Sequence, residues 1–330
     1  MVQANRRNLL LASAALIAAP FVRAQARPDA TPLIGVLEYG SSADFARSLA
    51  FFKEGLREGG FVEGRNLRIE YRFADYDYRK VNRLAEELVR ANVQVIYAPS
   101  PWAVHGAKAA TSRIPIVFSG VTDPVQIKFV QSLARPGGNI TGVGNTSAEL
   151  TTKRMQLMRE LFPAASRLGI VYDEDAAKAC QVELDELQAA STKLGVAVSR
   201  FPYLEKSDLP AIFTRGQRSG VAAVLVPTTM DARRAGVELA AQASLSNIPA
   251  VYSTADAVDA GGLMSYGPPP GWASKRAAGY VVRILNGTAP QDLPVEMPST
   301  YELVVNLKTA RAMGVKVPQS IILRADRVIE

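Results

Sequence analysis

The sequence predicts an α/β protein of two successive halves, each a parallel sheet covered by helices on both faces. Three observations carry that prediction. Short apolar runs alternate with segments of helical period through the first half, with no hairpin signal between consecutive strands. The alternation resumes after Asn145, although the sequence itself does not repeat. At 330 residues, 48% of them hydrophobic, the chain also exceeds what one core usually serves.

Residues 33–37 form an apolar run bounded by Pro32 and Tyr39-Gly40, as a strand buried on both faces requires. Asp44 then precedes Phe45, Leu49, Phe52 and Leu56, which line one helical face ending at Gly59-Gly60. Residues 67–71 alternate as a strand does, 81–89 carry the next helical stripe, and 93–97 the third strand. Pro99-Ser100-Pro101 turns into an Ala-rich helix, and 116–118 give the fourth strand. A helix is expected to open at Asp123-Pro124, followed by a Gly-rich stop and a short strand before Asn145. Thr146 and Glu149 have capping-box spacing ahead of a long helix over 150–162.

In the second half, strands are expected at 168–172, 196–201, 221–226, 250–252 and 263–266, with helices at 176–194, 207–219 and 231–246. The stiff run Gly267-Pro-Pro-Pro-Gly271 precedes a helix at 273–285. Residues 290–298 are proline-spaced and extended, and 301–313 carry a last strand and helix.

The first 26 residues read as an export signal. Arg6-Arg7 precede an apolar run at 9–19, Pro20 breaks it, and Ala24-Gln25-Ala26 supplies a cleavage pattern. Both a twin-arginine route and an ordinary secretory route suit these letters. No later stretch reaches the roughly 18 uncharged apolar residues of a span, so a soluble mature protein in the periplasm is expected. Removing the signal's three arginines leaves 35 basic residues against 31 acidic, spread along the chain without the basic stripe of a nucleic-acid binder. The single Cys180 cannot close an internal disulfide.

Four separated segments resemble one family. They are Gly55-Leu-Arg-Glu-Gly-Gly-Phe-Val-Glu-Gly-Arg-Asn-Leu-Arg-Ile-Glu-Tyr-Arg72, Ser132-Leu-Ala-Arg-Pro-Gly-Gly-Asn-Ile-Thr-Gly-Val143, Leu263-Met-Ser-Tyr-Gly267 and Asn306-Leu-Lys-Thr-Ala-Arg-Ala-Met-Gly314. The closing Arg324-Ala-Asp-Arg-Val-Ile-Glu330 fits the same pattern. The family is that of ABC-transporter substrate-binding proteins, which includes tryptophan-binding members and is built on the type I periplasmic-binding-protein fold. The resemblance implies two doubly wound parallel-sheet lobes joined by three hinge crossings, near 144–146, 267–270 and 294–298. Lobe one would hold residues 31–145 plus 268–295 and lobe two 146–267 plus 296–330, with a ligand cleft between them. It implies an importer's solute-binding component that closes on an amino acid or an aromatic or carboxylate compound. The partner would be an ABC permease in the inner membrane, with no cofactor, and the protein would act as a monomer.

The chain departs from the family pattern at Ala98-Pro99-Ser100-Pro101-Trp102, where Gly-Thr-Pro is common, and at Asp173-Glu174, where Asn-Pro is typical. Tyr266-Gly267-Pro268-Pro269-Pro270 stands where Tyr-Gly-Pro-Asp is usual. The first two changes fall on cleft loops, so a tryptophan ligand does not carry over.

Ligands of open parallel sheets sit outside the carboxyl ends of the strands. That rule selects Glu38, Tyr39, Ser41 and Ser42 after the first strand, Pro99, Ser100 and Trp102 after the third, Ser119 and Asp123 at the fourth, and Asn145. In the second half it selects Asp173, Thr228, Thr229, Tyr252, Thr254 and Tyr266. Hydroxyls, carboxylates and aromatic rings together suit a small polar molecule with an apolar body. Some of these residues have structural duties available: Asp123 can cap the helix expected after it, and Ser41 or Ser42 the first helix. The helix start at Ser100 lacks acidic residues in its first turn and is the best anion seat.

Catalysis finds few parts. His105 is the only histidine, which removes histidine-based metal clusters and Ser-His-Asp triads. Gly40-Ser41-Ser42 lacks the glycines of a nucleotide loop. A ligand-reading subunit for a membrane sensor kinase would use the same cleft. A secreted hydrolase or glycosidase would need an acid/base pair among Glu38, Asp123 and Asp173, and their spacing singles none out.

Overall fold

The computed structural model describes residues 31–145, 148–174, 181–227 and 235–330. The export signal, Thr146, the start of the helix read at 176, the Thr228-Thr229 pair and the start of the helix read at 231 lie outside the described residues.

The first sheet comprises β1 (Leu33–Glu38), β2 (Arg68–Phe73), β3 (Val95–Ala98), β4 (Ile116–Thr122) and β5 (Ile140–Asn145), all parallel, in the order β2-β1-β3-β4-β5. Composition follows position in the sheet: β3, Val-Ile-Tyr-Ala, is central and wholly buried, whereas β2, Arg-Ile-Glu-Tyr-Arg-Phe, is an edge strand with no buried residue. Helices α1 (Ser42–Glu58), α2 (Tyr78–Arg90) and α3 (Pro101–Ala110) begin at Ser41, Asp77 and Ser100, whose side chains each accept a backbone N–H of the first turn. The apolar stripe of α1 buries Phe45, Phe52 and Leu56 against Ile34, Val36 and Tyr97. There the Phe52 ring stacks on Tyr97 at 3.9 Å and 3°. On the opposite face Leu84, Leu88 and Val104 of α2 and α3 pack with Leu37, Ile96 and Phe118.

The helix expected at Asp123-Pro124 does not form. Asp123 and Lys128 hold left-handed backbone angles, φ +47° and +59°, which interrupt a right-handed helix at both ends. What remains is a single turn, with Ile127 N–H donating to the Asp123 carbonyl and Phe129 N–H to that of Pro124. Phe129 and Val130 are buried and anchor the connection.

After α4 (Ala148–Leu161) the chain builds the second sheet. It runs through β6 (Arg167–Asp173), α5 (Gln181–Leu194), β7 (Ala197–Tyr203), α6 (Leu209–Arg218), β8 (Val224–Leu225), α7 (Gly236–Leu245), β9 (Ala250–Tyr252), α8 (Ala255–Asp259) and β10 (Met264–Gly267). It then places α9 (Trp272–Leu285) on the first sheet and returns with β11 (Glu302–Asn306), α10 (Leu307–Ala312), α11 (Gln319–Arg324) and β12 (Arg327–Ile329). Among the described residues the order is β12-β11-β10-β9-β8-β6-β7. Pro202 sits in β7, at the edge, where its missing N–H breaks no ladder.

All pairs in the second sheet are parallel except β10–β11, in which Gly267 faces Glu302. The exception follows from the route. The chain leaves the carboxyl end of β10, visits the first sheet, and re-enters beside the end it left. On its way back Glu296 lies along β5, with Gly144 N–H donating to the Glu296 carbonyl at 2.8 Å. The closing α11 and β12 fall after the last helix read from the sequence.

Helix α9 packs on α1 through Trp272, Ala277, Ala278 and Val281. A Cβ on Gly55 would lie 2.8 Å from both the Ala278 Cβ and the Lys275 carbonyl, and one on Gly59 2.5 Å from Val282. Gly279, by contrast, has open space around it. Gly55→Val is therefore expected to destabilise the protein by about 1–3 kcal/mol through overpacking. Gly279→Ala should stabilise it by up to about 1 kcal/mol through helix propensity. Urea denaturation of both variants, with opposite signs of the midpoint shift, checks the packing.

Candidate functional site

A recess opens where the carboxyl ends of β1, β3 and β4 meet the starts of α1 and α9. Glu38, Gly40 and Ser41 supply one wall, Asp44, Phe45 and Ser48 of α1 a second. Tyr76, Pro99, Ser119 and Ser274 complete the lining.

The polar groups of this lining are oriented by bonds of their own. Glu38 is 3% exposed, and its Oε1 accepts the Gly40 N–H at 2.9 Å. Asp44 Oδ2 accepts two hydroxyls, Ser41 at 2.6 Å and Tyr76 at 2.8 Å. The Ser119 hydroxyl pairs with that of Tyr97 at 2.8 Å. Ser274, in the first turn of α9, is 6% exposed. Hydroxyls and carboxylates of this kind can bond the polar head of a small solute, and Phe45 offers an apolar surface beside them.

From Tyr76 a row of rings runs outward. Tyr39 meets Tyr76 edge-on at 5.6 Å and Trp102 at 5.8 Å, and Trp102 lies 6.3 Å from Tyr78. The Tyr39 hydroxyl donates to the Tyr76 carbonyl at 3.0 Å. Trp102 is 42% exposed and Tyr78 64%, so flat apolar faces stand in solvent here.

Of the residues selected from the sequence, the recess gathers Glu38, Ser41, Pro99 and Ser119, with Tyr39 and Trp102 in the adjoining row. Ser42 opens α1 and is exposed. Ser100 is fully buried, its hydroxyl taking the Ala103 N–H as a helix cap. Asp123 is exposed in its left-handed turn, and Asn145 and Asp173 are buried at the ends of β5 and β6. Thr254 occupies the cap position of α8 without a side-chain cap bond. Tyr266 is half-buried beside Tyr301, ring centroids 5.9 Å apart, and burial pushes its phenol pKa up. Tyr252 is buried in the second sheet's core, where a Cβ on Gly262 would meet its ring at 2.5 Å, and burial raises its pKa.

Sequence reading missed several participants. Tyr76 follows β2, a carboxyl-end loop the same rule covers, and its left-handed φ of +65° marks a strained turn. Ser48 and Phe45 share the helix that caps at Ser41, so its first two turns carry site and core together. Ser274 comes from more than two hundred residues away, and only the return of α9 brings it in.

A buried charge was also overlooked. Arg154 is fully buried on α4, its Nε donating to the Tyr266 carbonyl at 2.7 Å and its Nη1 lying 3.3 Å from Glu183 Oε1, which also accepts the Thr151 hydroxyl. The sequence held a signal for it. Leu150, Arg154, Met158 and Leu161 stand four, four and three apart, which sets an arginine in the middle of an apolar stripe. Burial lowers the Arg154 pKa, and Glu183 opposes that shift.

Residues 37–329 match the model of a family described as ABC transporter substrate binding protein. A tyrosine-binding protein of Clostridioides difficile (strain R20291) is 25% identical over 285 residues, 86% of this chain and 81% of that protein. Among solved structures, a domain from Streptococcus pneumonia in complex with L-Trp superposes with a TM-score of 0.81 at 25% identity, covering 91% of this chain and all of that one (100%). An ABC transporter solute binding protein from Bacillus halodurans with bound myo-inositol shares the fold, with a TM-score of 0.60 at 17% identity over 86% of this chain and 98% of that one. The common arrangement is that of type I periplasmic binding proteins, two mostly parallel sheets flanked by helices.

Two measurements test the local chemistry. Arg154→Met leaves Glu183 buried opposite an apolar chain and should cost about 3–5 kcal/mol in chemical denaturation. His105 packs edge-on against Phe129 at 4.6 Å, and burial, then the Lys108 charge, holds its pKa below 6.5. The folded value is depressed, so the neutral ring's contribution to stability is complete above 6.5 and lost as pH falls through the lower folded value. Proton NMR of this single histidine should show a midpoint below that of the urea-unfolded chain.

Proposed function

The chain belongs to the family of ABC transporter substrate-binding proteins, and from that premise we propose that it is the extracytoplasmic receptor of an importer. It takes a small organic solute into the recess by closure of two lobes and delivers it to an ABC permease in the inner membrane. Proteins of this family bind solutes and do not transform them. The observation that carries the reading is the recess itself, a polar wall at the carboxyl ends of three parallel strands with one aromatic row leading from it.

Under this proposal lobe one comprises 31–145 plus 268–295, lobe two 146–267 plus 296–330, and the three passages between the sheets bend on closure. The solute is an amino acid or an aromatic or carboxylate compound. The similar proteins support that class: one is a tyrosine-binding protein and another was crystallised with L-Trp. Glu38, Ser41 and Ser119 would bond the polar head, and Tyr39 and Trp102 flank the apolar body. Residues of lobe two, Asp173, Thr228, Thr229, Thr254 and Tyr266 among them, would close from the other side, and Asn145 stands at the end of lobe one where the first passage begins. Export by the 1–26 signal to the periplasm and action as a monomer belong to the same reading. No helix among the described residues is long and apolar enough to cross a membrane.

Mass spectrometry of solute released from natively purified protein is expected to yield such a compound. Adding it back should raise the melting temperature by mass action. Glu38→Gln and Ser119→Ala should each weaken its binding by roughly tenfold, the loss expected of one buried hydrogen bond. No released solute, and no thermal shift across broad panels of amino acids and aromatic acids, would overturn the proposal.

A further inference from the structure

One ion pair on the rim of the recess joins elements of different sheets. Arg47 stands on α1 between Asp44 and Ser48, both of which line the recess. That helix is fixed to the first sheet by Phe45 and Phe52. Asp256 lies in the first turn of α8, whose Ala255, Ala257 and Val258 pack with Tyr252 and Val304 of the second sheet. Arg47 Nη2 is 3.0 Å from Asp256 Oδ1 and 3.9 Å from Asp259 Oδ2. Asp259 is also met by Arg327 at 2.6 Å, within the second sheet, and Asp256 is the closer of the two carboxylates to Arg47. The Arg47 guanidinium also lies over the Phe51 ring at 6.0 Å, on the same helix.

Other ion pairs, such as Lys275–Glu54, Arg276–Glu296, Arg154–Glu183 and Lys206–Glu238, stay within one sheet and its own helices. The Arg47–Asp256 pair is different in kind, because hinge motion at the passages would make and break it.

We propose that Arg47 and Asp256 form an electrostatic latch that favours the closed arrangement whatever the chemistry of the solute beneath it. The inference rests on the two-lobe reading above and adds a regulation to it. With the lobes apart the two charges are out of each other's reach; with the lobes together they meet at contact distance. The side chains are 54% and 37% exposed, so the pair is weak and screened by salt. Such strength suits a receptor that has to reopen. Removing one partner should lower the closed-to-open ratio by about two- to fivefold.

Pulsed electron-spin distance measurements test this without any solute. Cys180→Ser removes the native thiol, and spin labels are placed through Arg65→Cys and Ser219→Cys, at exposed positions on the two halves. Arg47→Ala and Asp256→Asn are each expected to shift the distance distribution toward the longer, open population. Arg47→Lys should restore the short one, and raising salt to 1 M should move the parent protein toward the two charge-removed variants. Coincident distributions for the parent and both charge-removed variants, at low and at high salt, would overturn the latch. Circular dichroism and melting of each variant separate this result from misfolding. A failed latch leaves the parent's solute-dependent thermal shift intact, whereas a failed receptor reading removes that shift and leaves the latch-dependent distances.

Discussion

Close packing of α9 on α1 is the contact on which the architecture depends. The helix follows β10 of the second sheet in the chain yet buries its apolar face in the core of the first. Two glycines one turn apart, Gly55 within α1 and Gly59 just past its end, permit the approach, since side chains there would meet Ala278, Val282 and the Lys275 backbone. From that contact follow a third passage between the sheets, the pairing of Glu296 along β5, and the antiparallel entry of β11. Ser274 reaches the recess for the same reason. A fold that reads as two separate halves is thus tied into one unit by a helix that changes sides.

The recess is organised by bonds made before any solute arrives. Ser41 both caps α1 and donates to Asp44, and Asp44 in turn holds the Tyr76 hydroxyl. Ser119 is set by Tyr97 from the strand beside it. Groups fixed in this way lose little freedom on binding, so more of each contact appears as affinity. The exposed rings of Trp102 and Tyr78 are different: they stand in water and gain by being covered.

Much of the fold was legible in the sequence because parallel strands are buried on both faces and the helices between them are amphipathic. Two periodicities sufficed for the alternation, and the carboxyl-edge rule then found Glu38, Ser41, Pro99 and Ser119. What escaped depends on facts that no window of residues contains. The segment after Asp123 has helical letters, but left-handed angles at Asp123 and Lys128 stop the helix. Strand direction at β11 is set by where the chain comes from. Ser274 belongs to the site only through topology. Arg154 was readable, as a charge out of place on an apolar face, and its partner Glu183 lies on a different helix.

The borders of the two sheets have a bearing on how copies of this protein meet one another. A sheet polymerises when a foreign strand docks along a free rim. On one side of the second sheet that rim is β7, where Pro202 offers no N–H to a newcomer, and on one side of the first it is β2, where Arg68, Glu70 and Arg72 alternate with Ile69, Tyr71 and Phe73. A proline and a row of charged side chains both discourage such docking, so these borders favour separate copies over strand-to-strand association.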